Sequence, residues 1–231
     1  MLKFVNIGLL CFGLAFVNNS FAKPIKEIPP TYSWSCTASF INDEGYLATA
    51  AHCIASKEEH FQGTHWAIIE NGKKYEALLV GADYVNDVAI LHTDAPQTSH
   101  YSITLNVPFG NYYSLYGYPA PQEMGFTLKL SAVDILLKNG NYWLFNGAAC
   151  GGHSGGPVVN QASQIVGTLD WGFGTPCSTL GGIIRSEYLV KLLLKLNIPF
   201  DLVSSQDPIT DVGQVQRNKD ALERTFLLLG G

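Results

Sequence analysis

Residues 151–157 read Gly-Gly-His-Ser-Gly-Gly-Pro, and no other segment does more to decide how this chain is interpreted. A serine hydroxyl is a weak nucleophile until a base removes its proton. Glycines on both sides of Ser154 let the chain turn tightly, so that the backbone N–H groups of Gly152 and Ser154 can point at one spot. Two such donors stabilise the oxyanion of an acyl-transfer intermediate. Taken alone, the segment has an alternative interpretation as a glycine-rich surface loop.

Two upstream segments supply candidates for a base and for its partner. Residues 49–53 read Thr-Ala-Ala-His-Cys, and an ordinary histidine pKa of ~6.5 suits His52 to proton exchange near neutrality. Its alternative is an ordinary surface or core histidine. Asp87 opens the apolar run 88–91, where a buried charge needs a partner such as an imidazole N–H. Asp83 and Asp94 compete for this role, but no apolar run of four follows either of them.

The composition is that of a folded globular protein. Of the 231 residues, 47% are hydrophobic and 14% are charged, and the net charge is -5. Lysine and arginine are scattered, which argues against nucleic acid as a partner. Short runs rich in Val, Ile, Tyr and Thr, bounded by turn residues, predict an all-β sandwich or a pair of barrels.

Two helices are predicted near the C-terminus. Residues 186–196 are strongly apolar, and Ser186 is the candidate N-cap. In the second helix, from 214 to 229, the spacing of Val215, Leu222, Phe226 and Leu229 places them on one apolar face.

The first 22 residues have the features of a signal peptide. Lys3 supplies a positive charge, residues 4–17 are apolar apart from one asparagine, and residues 20–22 (Ser-Phe-Ala) have the small-x-small pattern of a cleavage site. An uncleaved membrane anchor is the alternative, although the run is short for a span of ~20 residues. We therefore expect an exported mature chain that begins near Lys23 and has no stable membrane insertion.

Export to an oxidising compartment favours disulfides. Cys11 would leave with the leader, and Cys36, Cys53, Cys150 and Cys177 would allow three pairings. The local pairing closes two short loops, each worth ~3 kcal/mol in the chain-entropy model. Free thiols remain an alternative. A zinc site is less favoured, because no two of these cysteines have the C-x-x-C spacing.

Together, the His52, Asp87 and Ser154 segments resemble the three signature segments of chymotrypsin-like serine proteases, in the family's order. The resemblance covers about residues 34–197. It implies an all-β fold of two six-stranded antiparallel β-barrels with the active site between them, then a C-terminal helix and a helical extension. Some stretches look closer to the bacterial Deg-type and glutamyl-endopeptidase branches than to digestive enzymes: 41–46, 80–83 and 116–119.

The resemblance also implies a domain division and two disulfides. The protease domain would be 23–203, and its parts would be an N-terminal barrel (34–98), a C-terminal barrel (99–185) and a helix (186–197). Residues 204–231 would form an extension outside the family core. In the family, one disulfide holds the loop of the catalytic histidine, at the positions of Cys36 and Cys53. A second holds the primary specificity pocket, at the positions of Cys150 and Cys177.

The catalytic roles follow from the same resemblance. Ser154 would be the nucleophile, His52 the general base and Asp87 the residue that orients it. The Gly152 and Ser154 amides would form the oxyanion hole. This chemistry requires no metal and no cofactor.

Substrate contacts are also implied by the family pattern. Asp170, Trp171 and Gly172 resemble the strand that lines the substrate backbone. Ala148 would be the floor of the primary specificity pocket, and Ala149, Gly172 and Gly182 its walls. Without a carboxylate at the floor, we expect an apolar or aromatic P1 residue rather than Arg or Lys.

Two residues depart from the family pattern. His153 replaces the aspartate that pairs with a new N-terminus in digestive enzymes, and the chain lacks their Ile-Val-Gly-Gly start. We therefore expect no N-terminal insertion switch, and a structural role for His153. Asp170 replaces a serine beside the triad, where we expect it to add negative charge and raise the pKa of His52.

The sequence therefore predicts a secreted serine endopeptidase, extracellular or periplasmic, that acts on proteins or peptides. One alternative is a catalytically silent relative that serves as a binding module. The other is an esterase, which is disfavoured because the histidine precedes the serine here, whereas it follows a Gly-x-Ser-x-Gly elbow in most esterases.

Overall fold

A computed structural model describes residues 34–54, 65–68, 73–119, 127–172, 177–204 and 209–230. The predicted signal peptide, 1–22, and the lead-in, 23–33, lie outside the described residues. Most of the described chain is strand, which confirms the predicted all-β class.

The N-terminal half contributes seven strands and one short 3-10 helix, Ala51–Cys53. The strands are β1 (Trp34–Phe40), β2 (Tyr46–Thr49), β3 (His65–Ile68), β4 (Lys74–Asp83), β5 (Val88–Thr93), β6 (Ile103–Thr104) and β7 (Tyr112–Gly117).

The C-terminal half contributes seven further strands and two helices. The strands are β8 (Lys129–Asn139), β9 (Tyr142–Cys150), β10 (Pro157–Val159), β11 (Ile165–Gly172), β12 (Cys177–Arg185), β13 (Leu202–Val203) and β14 (Thr225–Gly230). The helices are α1 (Ser186–Leu196) and α2 (Gln214–Arg224).

The first barrel is a closed sheet with the strand order β1-β14-β3-β4-β5-β2. Its sixth strand comes from the C-terminal end of the described chain. The helix predicted to run to residue 229 is therefore wrong beyond Arg224, and the last strand of the predicted extension at 204–231 belongs to the first barrel. The physical reason is that residues 226–229 form an uninterrupted apolar run that is buried on both faces, whereas Val215 at the start of the predicted apolar face is exposed.

The second barrel is built from six antiparallel strands. Strands β10, β7, β8, β9, β12 and β11 pair in that order, and an additional β10–β11 pairing closes the ring. Strand β6 then pairs parallel with both β11 and β13, outside the ring. The two-barrel prediction is thus confirmed, with these short parallel pairings as an addition.

Helix α1 has the predicted range, but Arg185 rather than Ser186 is its N-cap. The Ser186 hydroxyl instead donates to the Thr104 carbonyl (2.6 Å), which ties the start of the helix to β6. Leu189 and Leu193 are buried in the apolar core that both barrels share.

The C-terminal segment connects the two barrels. Helix α2 lies against the second barrel, where the Tyr116 hydroxyl of β7 donates to Asn218 Oδ1 (3.0 Å) and Arg217 binds the Gln161 carbonyl (3.1 Å). Strand β14 then enters the first barrel. No helix within the described residues has the length and apolar character needed to cross a membrane.

Candidate active site

His52 lies in the short 3-10 helix that follows β2. Ala50 and Ala51 beside it are fully buried, so small side chains bring this turn close to the barrel wall. Cys53 forms a disulfide with Cys36 of β1, the pairing that the resemblance implied. The imidazole itself is 45% exposed, and Asp170 of the second barrel lies 3.5 Å from its Nδ1.

Asp87 lies in the turn between β4 and β5 and makes two hydrogen bonds with His52. Asp87 Oδ1 accepts the His52 backbone N–H (2.7 Å), and Asp87 Oδ2 lies 2.6 Å from His52 Nδ1. The first bond fixes the carboxylate, and the second fixes which imidazole nitrogen carries its proton. Asp87 adopts a φ of 52°, a left-handed conformation that aspartate tolerates better than most residues.

The turn that carries Asp87 is held from two sides. The competing candidate Asp83 accepts the N–H groups of Val85 and Asn86 (both 3.1 Å), so it is a turn cap. From the second barrel, Asn141 donates to Asn86 Oδ1 (2.8 Å) and accepts the Tyr188 hydroxyl (2.7 Å). The sequence analysis missed this bridge, because nothing local in the sequence marks an asparagine as an inter-barrel contact.

Ser154 lies in the glycine turn between β9 and β10. Gly152 and Gly155 adopt φ values of 90° and 79°, which favour glycine. A Cβ at Gly155 would overlap Thr49 Oγ1 and the Thr37 carbonyl, so the turn is pressed against the first barrel. The Thr37 N–H also donates to the Ser154 carbonyl (2.8 Å).

The amides of this turn divide into two sets. Those of His153, Gly155 and Gly156 donate to protein carbonyls. Those of Gly152 and Ser154 have no protein acceptor among the residues that the structure describes. The amides without an acceptor among the described residues are thus the two predicted to form an oxyanion hole.

The Ser154 hydroxyl donates to the backbone carbonyl of Asp170 (3.4 Å). Within the part of the chain that the structure describes, the Ser154 hydroxyl makes no hydrogen bond to His52. The two residues nevertheless both lie next to Asp170, whose Oδ1 is 3.5 Å from His52 Nδ1, and Cys53 Sγ is 3.8 Å from the Ser154 carbonyl.

The electrostatics of the site are set by one imidazole and two carboxyl groups. Burial lowers the pKa of His52, but its hydrogen bond to Asp87 and the charges of Asp87 and Asp170 raise that pKa above the ordinary value. Burial raises the pKa of Asp87, but bonding to His52 and Asp170 holds that pKa below its usual range. The Asp170 carboxyl group adds to this shift of the His52 pKa only when it is ionised.

Asp170 itself behaves differently from Asp87. Burial and the neighbouring Asp87 carboxylate raise the pKa of Asp170 to about 8, against the opposing effects of His52 and Tyr142. At neutral pH its carboxyl group is therefore mainly protonated, and the expected negative charge is mainly absent. Tyr142 belongs to β9 and was not among the predicted site residues.

His153 is fully inside the protein. Its Nδ1 accepts the Cys150 N–H (3.2 Å), and burial lowers the pKa of the imidazole to about 3. A neutral, hydrogen-bonded side chain at this position agrees with the predicted structural role. Because Cys150 pairs with Cys177, as the resemblance implied, the start of the turn is anchored to β12.

The predicted pocket residues lie on neighbouring strands. Gly172 lies between Ala149 and Ser178, because a Cβ added to it would be 3.4 Å and 3.2 Å from their Cβ atoms. A Cβ at Gly182 would lie 2.5 Å from the Trp171 indole. Ala149 is buried, and Ala148, next to it on β9, is half-buried. Small residues thus stand at each of the four predicted pocket positions.

Comparison with known proteins places this geometry in context. The family model described as "Trypsin-like peptidase domain" matches residues 36–167. The chain is 27% identical over 209 residues to "Probable periplasmic serine endoprotease DegP-like" of Hahella chejuensis, covering 87% of this chain and 41% of that protein. It is also 27% identical over 200 residues to "Serine endoprotease DegS" of Haemophilus influenzae, covering 69% and 57%.

Among solved structures, "HtrA-type protease AlgW with decapeptide" matches with a TM-score of 0.58 and 21% identity, covering 69% of this chain and 50% of that one. This likeness supports the fold. The chain spans between 27% and 57% of the length of the curated relatives it matches.

Proposed function

This chain belongs to the trypsin-like peptidase family, and we propose from that premise that it is an exported serine endopeptidase with the triad Ser154, His52 and Asp87. The observation that carries the proposal is the pair of hydrogen bonds between Asp87 and His52, 2.7 and 2.6 Å long, beside Asp170, whose backbone carbonyl accepts the Ser154 hydroxyl. Such a pair orients a base beside a nucleophile.

The chemistry follows from these contacts. Since His52 Nδ1 is held by Asp87, its other nitrogen, Nε2, is the one that takes the proton of the Ser154 hydroxyl as the oxygen attacks a peptide carbonyl. The free amides of Gly152 and Ser154 then receive the negative oxygen, each such donor being worth ~2.7–4 kcal/mol of transition-state stabilisation. His52 returns the proton to the leaving amine, and water hydrolyses the acyl-enzyme.

The resting position of Ser154 fits this proposal. Its hydroxyl points to the Asp170 carbonyl (3.4 Å), and a rotation about χ1 would redirect it. Catalytic hydrogen bonds are often long or misaligned until substrate binds. We infer that substrate binding on the β11 strand edge, at Trp171 and Gly172, accompanies this rotation.

We further propose an apolar P1 residue. No charged group lies among Ala148, Ala149, Gly172 and Gly182. The close approach of Gly172 to Ala149 favours small apolar side chains over aromatic ones. Profiling against a peptide library tests this proposal, and clean cleavage after Arg or Lys would contradict it.

The natural substrates are proposed to be proteins or peptides in an exported compartment. Two disulfides, Cys36–Cys53 and Cys150–Cys177, fit an oxidising location such as the periplasm or the extracellular space. The DegP-like relative is named as periplasmic, and AlgW is named in complex with a decapeptide.

Hydrolysis assays decide between this proposal and its rivals. We expect the purified chain to cleave an unfolded protein, and Ser154→Ala to lose this activity by at least about a thousandfold while unfolding at the same temperature. Cleavage of activated esters without cleavage of any peptide would favour an esterase. Equal, negligible hydrolysis by both chains, with peptide binding retained, would favour the silent binding module.

A further inference from the structure

Asp170 brings a second carboxyl group to the triad. It lies on β11 with a side chain only 12% exposed, and its Oδ1 is 3.5 Å from His52 Nδ1. Side-chain nitrogen or oxygen atoms of His52, Asp87 and Asp170 all lie within 4.8 Å of one another. The inference below rests on the proposed function, because it assigns a role to Asp170 within that triad.

The two carboxyl groups are not equivalent in their partners. Asp87 accepts both the backbone and the side-chain N–H of His52, so the imidazole stabilises the ionised form of Asp87. The Asp170 side chain accepts neither bond, although its carboxyl group lies within 4.8 Å of the Asp87 carboxyl group. Two largely buried carboxylates this close disfavour each other's charge, so one of them retains a proton. The contacts assign that proton to Asp170.

We propose that Asp170 is a positioning residue, which holds a proton and donates it in a hydrogen bond to Asp87, fixing the carboxylate that orients His52. Asp87 then receives hydrogen bonds from three directions: two from His52 and one from Asp170. This arrangement locks the rotation of the Asp87 side chain without adding a second negative charge at neutral pH.

A pH dependence follows from this arrangement. The groups that face Asp170 are His52 from the 3-10 helix, Asp87 from the turn before β5 and Tyr142 from β9. Burial and Asp87 raise the pKa of Asp170 to about 8, so its proton is lost as the pH rises through that value. The donor to Asp87 then disappears and the two carboxylates repel each other. We expect kcat/KM to fall above about pH 8.

Two substitutions at position 170 distinguish the effect of a hydrogen-bond donor from the effect of a charge. Asp170→Asn places an amide N–H, which donates at every pH, where the carboxyl proton was. This variant should keep kcat/KM within about threefold at pH 7 and lose the decline above pH 8. Asp170→Ala supplies no donor, so its kcat should fall about tenfold or more at pH 7, the size of one hydrogen bond to a charged group.

A matched control is available in Asp94→Asn. Asp94 is exposed on the same barrel as Asp87, so this change should leave both kcat/KM and its pH profile unchanged. The proposal is overturned if Asp170→Asn and Asp170→Ala lose activity equally, or if Asp170→Asn retains the alkaline decline of the unmodified chain.

A second measurement does not depend on proteolysis or on the folding of any Asp170 variant. Carbon-13 NMR of aspartate-labelled Ser154→Ala protein should show one carboxyl group that titrates near pH 8, while the others titrate in the acid range. If every aspartate ionises below pH 6, the proposal is wrong. An inactive unmodified chain that still shows this titration would count against the proposed function and not against the shared proton.

Discussion

The strand β14 gives a quantitative test of the barrel that carries His52. Leu228 is fully buried, pairs with Cys36 on β1 and Ala67 on β3, and belongs to the core cluster that contains Ala51 and Cys53. Leu228→Ala removes three carbons from this packed site. Such changes cost about 2–5 kcal/mol when the cavity does not collapse. The free energy of unfolding of a typical protein is about 5–15 kcal/mol, so this loss would be a large fraction of the stability.

Urea unfolding followed by tryptophan fluorescence, with both disulfides intact, measures this loss. We expect the midpoint to fall with little change in slope, because the surface exposed on unfolding is nearly the same. Leu194→Ala is the matched control, since it removes the same atoms from a side chain that is 62% exposed on α1. Leu194→Ala should lower the free energy of unfolding by about 0.5 kcal/mol or less. Equal effects of the two substitutions would refute the assignment of 225–230 to the barrel.

Three further predictions concern the catalytic turn and its base. Gly155→Ala should abolish hydrolysis, because φ is 79° and the added methyl group would overlap Thr49; wild-type activity in a peptide assay would refute the turn geometry. His153→Asn should keep turnover within about tenfold, since an amide oxygen can accept the same Cys150 N–H as the neutral imidazole; loss of turnover in a folded variant would contradict a structural role. Since His52 acts as a neutral base and its pKa is raised, kcat/KM should fall as the pH drops through a midpoint above 6.5, and a pH–rate profile with a lower midpoint would contradict the contacts with Asp87.

The residues of the proposed triad could be selected from the sequence because each has a local signature. Glycines flank Ser154, a half-cystine follows His52, and an apolar run follows Asp87. Their order along the chain then indicated a two-barrel fold, and the structure brings His52 and Asp87 into direct contact. The predicted position of Ser154 is supported in part: its hydroxyl donates to the carbonyl of Asp170, a residue that also lies next to His52.

The sequence did not predict two features that depend on distant partners. Residues 226–229 are apolar enough for either a helix face or a strand. They form a strand because the first barrel needs a sixth strand to close, and this segment supplies it. Propensity is a weak guide when tertiary contacts compete with it. Likewise, the proton on Asp170 depends on its burial beside Asp87, which comes from another part of the chain.

The most direct test of the account is covalent labelling of the nucleophile. Intact mass spectrometry after incubation with a fluorophosphonate should show one adduct per chain, located on Ser154 by peptide mapping. The adduct should be lost in Ser154→Ala and should form far more slowly in His52→Ala, because only a serine activated by its base reacts. An unlabelled but folded chain, or labelling that His52→Ala leaves unchanged, would contradict the proposal that these residues form a catalytic triad.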